Sequence, residues 1–275
     1  MARTKRSQST ALAKWDEELA KQAEIAAGME ASAGGGQFFS TRGGQLSWQD
    51  APLPGNEMAV IILDHIFETV YYEGRYDPDT PQSPTAFAFG RNEKELRWHE
   101  NSDPEFAGEL CSESEVCEWG SADTGKGKAA RETRRLAMIP AGQFNRNGDF
   151  EMFEDEDHYA TSTVGFMKLP VTSVKGFANF VKQVVGAMKR PPHGIITRVA
   201  VVPDAKTQFK VTFEPIDKVP DELIGVIMER REEVMATIDF PYQRDDEEQE
   251  PTPRRSRAAK KPTGRSGNAR RSRKY

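Results

Sequence analysis

The stretch WGSADTGKGKAARETRR, residues 119–135, is the part of the chain that most resembles a phosphate-binding loop. Gly120 is followed by four residues and then by Gly125 and Lys126, which is the spacing found in nucleotide hydrolases. That loop also needs a serine or threonine after the lysine, because the hydroxyl binds Mg²⁺, and it must follow a buried strand. Here Gly127 replaces the hydroxyl, and the polar segment CSESEVCEW precedes the loop. The pattern therefore argues against a nucleotide hydrolase.

Lysines and arginines are concentrated in the same stretch, although the protein as a whole is acidic. Five of them are candidate phosphate contacts: Lys126, Lys128, Arg131, Arg134 and Arg135. The neighbouring glycines let a backbone approach a phosphate and offer N–H groups to it, and Trp119 provides a ring on which a base can stack. Cations interleaved with aromatic rings are typical of a groove that binds a single nucleic-acid strand. The alternative is a solvated loop whose arginines pair with the acidic residues 154–157.

Two cysteines precede this basic stretch and raise the question of a metal site. Cys111 and Cys117 have five residues between them, and His99 lies twelve residues before Cys111. A zinc site needs four ligands and usually has more closely spaced cysteine pairs. These three residues leave one ligand missing, and His158 supplies it only if the fold brings it near. Zinc is the one cofactor that the sequence suggests, and two free thiols in a loop are the alternative.

No combination of residues in the chain is typical of catalysis. His65 lies in an apolar stretch, where a core or interface role is more common than that of a base. Asp155 and Glu156 belong to an acidic loop without an evident partner. The glutamates beside Cys111 and Cys117 raise the pKa of a thiol, which argues against a nucleophile. We therefore expect a protein that is not an enzyme.

The last 25 residues differ sharply in charge from the rest of the chain. The net charge is −5, but residues 251–275 contain ten lysines and arginines and no acidic residue, so the remaining chain carries −15. A segment of Lys, Arg, Ser, Pro and Gly does not fold, and it binds nucleic acid without sequence preference. Five residues are the candidate contacts there: Arg254, Arg255, Arg257, Lys260 and Lys261. The alternatives are a solubility or localisation segment, or pairing with the acidic body.

The sequence also limits the compartment and the partners. It has no run of about 18 apolar residues and no pattern of a secretory signal, so we expect no membrane partner and a cytoplasmic location. With two cysteines in 275 residues, a disulfide framework is not expected.

Composition divides the chain into three parts. We expect an N-terminal helical and flexible arm at 1–55, a folded nucleic-acid-binding core at 56–242, and a disordered tail, acidic and then basic, at 243–275. Within the core, the patterns predict several strands, a helix in VTSVKGFANFVKQVVGAMKR, a strand hairpin and a closing helix. This order predicts an α+β, mainly β fold: an OB-like five-stranded barrel with an inserted Cys/Gly-rich basic loop, an internal helix and a C-terminal helix. A generic α+β sandwich is the alternative.

Three segments resemble a group of tailed-phage early proteins that are regarded as single-stranded-DNA-binding proteins. They are YYEGRYDPDTP, WGSADTGKGKAARETRRLAMIPA and LPVTSVKGFANFVKQVVGAMKRPPHGIITRVAVVPD, and the resemblance covers about Tyr71 to Asp204. In that group a cysteine cluster precedes the G-S…G-K-G-K segment, and another cysteine follows it. Cys111 and Cys117 match the cluster, whereas Ala130 stands where the later cysteine falls, which weakens a zinc site here. For a viral protein the expected location is the host-cell cytoplasm.

These observations predict a single-stranded-DNA-binding protein of phage replication, recombination or repair. It binds without sequence preference through a basic and aromatic groove and through the basic tail. Replication or recombination proteins, and a second copy of the chain, are further candidate partners. Phage single-strand binders usually end in an acidic segment that recruits partners, whereas here DDEEQE precedes a basic terminus. Two alternatives remain: a zinc-stabilised regulatory or adaptor protein, and a virion or scaffold protein whose basic tail contacts the genome.

Overall fold

A computed structural model of the chain describes residues 38–49, 51–74 and 83–242. All of them belong to one unit, Met1–Gln243. The predicted arm before residue 38 and the predicted tail at 243–275 lie outside the described residues. In the described part, no helix is long and apolar enough to cross a membrane.

The described residues form a mixed α+β structure that is mainly β. The strands are β1 (Phe38–Ser40), β2 (Ser47–Trp48), β3 (Ala51–Pro52), β4 (Glu57–Tyr71), β5 (Ala86–Gly90), β6 (Arg131–Phe144), β7 (Phe150–Met152), β8 (Gly165–Leu169), β9 (Ile195–Asp204) and β10 (Gln208–Lys218). The α-helices are α1 (Glu156–Thr161), α2 (Val171–Gln183) and α3 (Ile224–Met235). A π-helical turn, Val184–Met188, extends α2.

The strands form one large open sheet in the order β10-β9-β4-β6-β8-β1-β2-β3. β5 pairs with the second half of β4, and β7 pairs with the end of β6. Within the described chain, β1 and β8 are the one parallel pair. The long strands β4 and β6 lie at the centre and hold the sheet together through an antiparallel ladder with two bulges.

Both faces of the central strands are buried, which explains their almost continuous apolar sequences. On β6, Leu136 and Met138 point to one face, whereas Ala137 and Ile139 point to the other. Helix α2 covers the first face, and its apolar residues recur every three or four positions, as the sequence predicts.

The second face is covered by the two other helices. Val226, Ile227 and Val234 of α3 and Tyr159 of α1 pack there against the sheet. The hydroxyl of Tyr159 donates to the carbonyl oxygen of Phe153 at 2.7 Å, so the one polar group of this buried ring is satisfied. The sheet therefore lies between helix α2 on one face and helices α1 and α3 on the other.

The predicted five-stranded OB-like barrel is not confirmed, because the described strands pair along an open path. The segment before β4 nevertheless contacts the last two strands, β9 and β10. Nδ2 of Asn56 donates to the carbonyl oxygens of Gly44 and Val201, both at 2.8 Å, and Gly44 lies beside Phe209. The boundary predicted at residue 55 therefore needs correction. Residues 38–55 belong to the folded unit, and Leu46 is fully buried in its core.

Candidate nucleic-acid interface

The basic loop, residues 119–130, is attached to the sheet on both sides. It ends where β6 begins at Arg131, opposite Val70 of β4. On its other side, Cys111 N donates to the carbonyl oxygen of Leu96, and Trp98 N donates to that of Glu109, both at 2.9 Å. Five buried apolar side chains pack there with Cys111 in a separate small core: Ala86, Ala88, Leu96, Trp98 and Ala130. This core holds the loop at the end of β4 and β6.

The loop itself is closed by hydrogen bonds between its own residues. Gly120 N donates to the carbonyl oxygen of Gly127 at 2.7 Å, and Ala129 N donates to Oγ of Ser121 at 2.9 Å. Gly120 and Gly127 have φ angles of 104° and 91°, a region that side chains disfavour. The N–H groups of Gly120 and Gly125 donate within the loop, so they do not form the phosphate cradle that the sequence suggests. The candidate phosphate contacts of this loop are therefore chiefly its side chains.

Trp119 stands at the start of this loop with 82% of its surface exposed, the largest exposure of any large apolar side chain in the described chain. A tryptophan normally buries most of its ring, because an exposed indole loses the favourable transfer from water. Trp98, in the small core that holds the loop, buries its ring in this way and is 1% exposed. Trp119 is therefore accessible to a stacking partner, and stacking of a base on it remains a prediction.

Two of the five predicted cations are free to bind an anion. The side chains of Lys126 and Arg131 are exposed, and among the described residues no acidic side chain pairs with either. Lys128 differs, because its Nζ lies 2.5 Å from Oε1 of Glu132, and this hydrogen bond raises the pKa of Lys128. The predicted alternative, pairing with residues 154–157, does not occur for these three cations.

Arg134 is partly committed to the fold. Its guanidinium lies 3.8 Å from the centre of the Phe67 ring, and Nη2 lies 3.6 Å from a carboxylate oxygen of Glu93. Its side chain is 14% exposed, and this burial lowers the pKa of Arg134. It can strengthen the positive potential at the start of β6, but it offers little surface for direct contact.

Arg135 needs a correction, because its position excludes a phosphate contact. The side chain is 0% exposed, and its Nε lies 3.1 Å from Oε2 of Glu68. Successive residues of a strand face opposite sides, so Arg135 points under the C-terminal segment while Arg134 points the other way. Arg135 is a structural residue. The tail candidates Arg254, Arg255, Arg257, Lys260 and Lys261 lie outside the described residues.

The predicted zinc ligands do not form a metal-binding group in the described chain, where no cluster of three or more suitable side chains occurs. The His99 ring stacks on Phe87 at 5.0 Å, and its Nδ1 accepts the N–H of Asn101. Burial raises the pKa of the Cys111 thiol to about 12 and that of Cys117 to about 11. Zinc binding remains a prediction.

The structure adds basic residues that sequence reasoning did not select. Lys182 and Lys189 are exposed on the α2 segment, as is Lys175. The spacing of seven residues between Lys175 and Lys182 is the signal that could have identified this surface, since it repeats one face of an α-helix. Several other basic residues of the core are paired with carboxylates, among them Lys168 with Glu68.

Comparison of the chain with protein-family models, with curated proteins and with solved structures gives no match. The function proposed below therefore rests on the residues and geometry of this chain.

Proposed function

We propose that the protein binds single-stranded DNA without sequence preference and is not an enzyme. The observation that carries this proposal is the exposed Trp119 in the same basic segment as Lys126 and Arg131, two exposed cations with which no described acidic side chain pairs. Stacking of a base on an aromatic ring tolerates every sequence, because each base has a π face. Cations beside the ring attract the phosphates on either side of the stacked base.

Single strands suit this site better than duplex. A ring on a surface loop can stack only on a base that is not already stacked between neighbours, and single strands present such bases. The described acidic surface disfavours a polyanion elsewhere, which confines binding to locally basic surfaces. The basic residues of 251–275 extend the electrostatic attraction in this proposal.

The resemblance of Tyr71–Asp204 to tailed-phage single-strand-binding proteins belongs to the same proposal, with a role in phage replication, recombination or repair. So does an OB-like arrangement of the sheet, which is supported by the return of Asn56 and Gly44 onto β9 and β10. OB folds bind single strands through grooves with aromatic and basic side chains.

The deciding experiment compares binding of single-stranded DNA, duplex DNA and single-stranded RNA over a salt titration. The full chain and a chain ending at Gln243 are measured in parallel by fluorescence anisotropy of labelled oligonucleotides. We expect both to prefer single-stranded DNA over duplex at about 0.15 M salt, the full chain with the steeper salt dependence. Equal affinity for duplex would contradict the proposal, and loss of all binding on truncation would transfer the site to the tail.

A further inference from the structure

The outer side of α2 and its π-helical extension carries a row of lysines. Lys175, Lys182 and Lys189 are all exposed and are spaced seven residues apart. Seven residues are almost two α-helical turns, so Lys175 and Lys182 lie on one side of α2, about 10 Å apart along it, and Lys189 follows them beyond the π-helical turn. Lys189 ends the π-helical turn with φ of 56°, which terminates the segment immediately after the row.

This lysine row has no acidic counterpart. Residues 171–190 contain no Asp or Glu, although the whole chain has 43. Surface helices commonly place acidic residues three or four positions from a lysine, where each pair stabilises the helix by a few tenths of a kcal/mol. Within the described chain, no acidic side chain from another element pairs with Lys175, Lys182 or Lys189 either. The positive charge of the row therefore faces solvent uncompensated.

The surface between the lysines consists mainly of short side chains. Most of the exposed residues between the lysines are small: Gly176, Ala178, Asn179, Gly186 and Ala187, with Gln183 and Val185 as the larger ones. A side chain added at Gly186 would meet no atom within 4 Å. A long polyanion can therefore approach the helix along its length without displacing side chains.

The lysine row begins at the same end of the sheet as the basic loop. Leu169, the last residue of β8, pairs with Arg134 of β6, and its carbonyl oxygen accepts a hydrogen bond from Oγ1 of Thr133. Helix α2 starts two residues later at Val171. The N-terminal end of α2 thus lies at the same end of the sheet as the start of β6, where alternation along the strand places Arg134 on the α2 face and Arg131 on the opposite face.

We propose that the lysine row of α2 is a second phosphate-binding track, along which a single strand continues from the Trp119 loop. This inference rests on the proposed function and deepens it by giving the strand a path. The chemistry is that of a polyphosphate backbone, because exposed ammonium groups along one surface attract repeated phosphates and offer no base-specific contact. The bases of that part of the strand face solvent.

The test replaces the three lysines together, Lys175→Ala, Lys182→Ala and Lys189→Ala, in the full chain. For single strands, the slope of log K against log salt is about −0.7 per neutralised phosphate, so the variant's slope should be shallower by about 2. The quenching of Trp119 fluorescence at saturation should persist, because the loop is intact. A matched triple variant, Arg42→Ala, Arg146→Ala and Lys206→Ala, also removes three exposed cations without described acidic partners and should change the slope less.

The outcomes separate the two proposals. If the unsubstituted chain does not bind single-stranded DNA, the proposed function and this inference both fail. If it binds and the lysine variant has an unchanged slope, or the same change as the matched variant, only the inference fails. Loss of sedimentation with anionic lipid vesicles at an unchanged slope would assign the row to a membrane surface and would also overturn it. Circular dichroism of α-helix content and the melting temperature verify that both variants fold.

Discussion

Arg135 and Glu68 form an ion pair from which water is excluded. Nε of Arg135 lies 3.1 Å from Oε2 of Glu68, and neither side chain is exposed. Nη1 of the same guanidinium donates to the carbonyl oxygens of Ile238 and Phe240, at 3.1 and 2.8 Å. The hydroxyl of Tyr242 donates to the other oxygen of Glu68. This network fastens the segment after α3 to the central strands.

Replacing Arg135 by methionine should destabilise the fold and leave nucleic-acid binding intact. Removing one partner of a buried ion pair leaves an uncompensated charge, at a cost of about 3–5 kcal/mol. Urea denaturation should show this loss for Arg135→Met, whereas Arg131→Met on the exposed start of β6 should change the free energy of unfolding by less than about 0.5 kcal/mol. If the Arg135→Met protein is stable but binds DNA more weakly, Arg135 contributes to the nucleic-acid interface and the prediction is wrong.

The contrast between Arg134 and Arg135 shows how far sequence reasoning reaches. Alternation along a strand does place these two residues on opposite faces. That Arg135 is the fully buried one depends on partners such as Glu68, which lies 67 positions away in the chain and becomes a neighbour only when β4 and β6 pair. The sequence alone identifies the basic residues. The pairing of strands that are distant in the chain decides which of these side chains are exposed to solvent.

Elements with a strong local pattern could be predicted, and those defined by partners could not. Helix α2 and the hairpin of β9 and β10 follow directly from the apolar period. Strands β1, β2 and β3 have two or three residues each, too few to show a period, and β1 exists because it pairs with β8. The predicted arm boundary at residue 55 was wrong for this reason.

Trp119→Ala should weaken binding to single-stranded DNA about 5- to 150-fold, which corresponds to the 1–3 kcal/mol that one stacked base contributes. The melting temperature should not change, since 82% of the side chain is exposed. Trp119→Phe keeps an aromatic face and should retain most of the affinity. Met235→Ala, which shortens another exposed apolar side chain, is the control for non-specific surface effects. An affinity unaffected by Trp119→Ala would remove the loop from the site.

Arg131 and Lys128 should contribute unequally, although both lie at the end of the basic loop. Arg131→Ala removes a cation with which no described acidic side chain pairs, so the salt slope for single strands should become shallower by about 0.7. Lys128→Ala also releases Glu132 from its ion pair, and this carboxylate then repels phosphate. We therefore expect Lys128→Ala to weaken affinity, and Lys128→Ala with Glu132→Ala to recover it. If the double variant binds as weakly as Lys128→Ala, then Lys128 contacts phosphate directly.

The stability of the fold should fall below pH 6.5 because of His65. Burial lowers the pKa of His65 below its usual value; the carboxylate of Asp64 opposes this shift, and Arg134 adds to it. The unfolded chain therefore binds a proton at a higher pH than the folded chain, and stability decreases from about pH 6.5 down to the lowered pKa. Urea midpoints between pH 7 and 5 should fall less steeply for His65→Gln. An identical pH dependence in the variant would show that His65 does not titrate in this way.

The two cysteines should react slowly with iodoacetamide in the folded protein. Only the thiolate is nucleophilic, and at pH 8 it is scarce when the thiol pKa is about 12 for Cys111 and about 11 for Cys117. Burial is the main cause for both, and the carboxylate of Glu132 adds to it for Cys117. Mass spectrometry should show rapid modification in urea and slow modification without it, and a chelator should leave the folded rate unchanged. Stoichiometric zinc by elemental analysis, with alkylation accelerated and the melting temperature lowered after chelation, would instead establish these thiols as metal ligands, because zinc holds cysteines as thiolates.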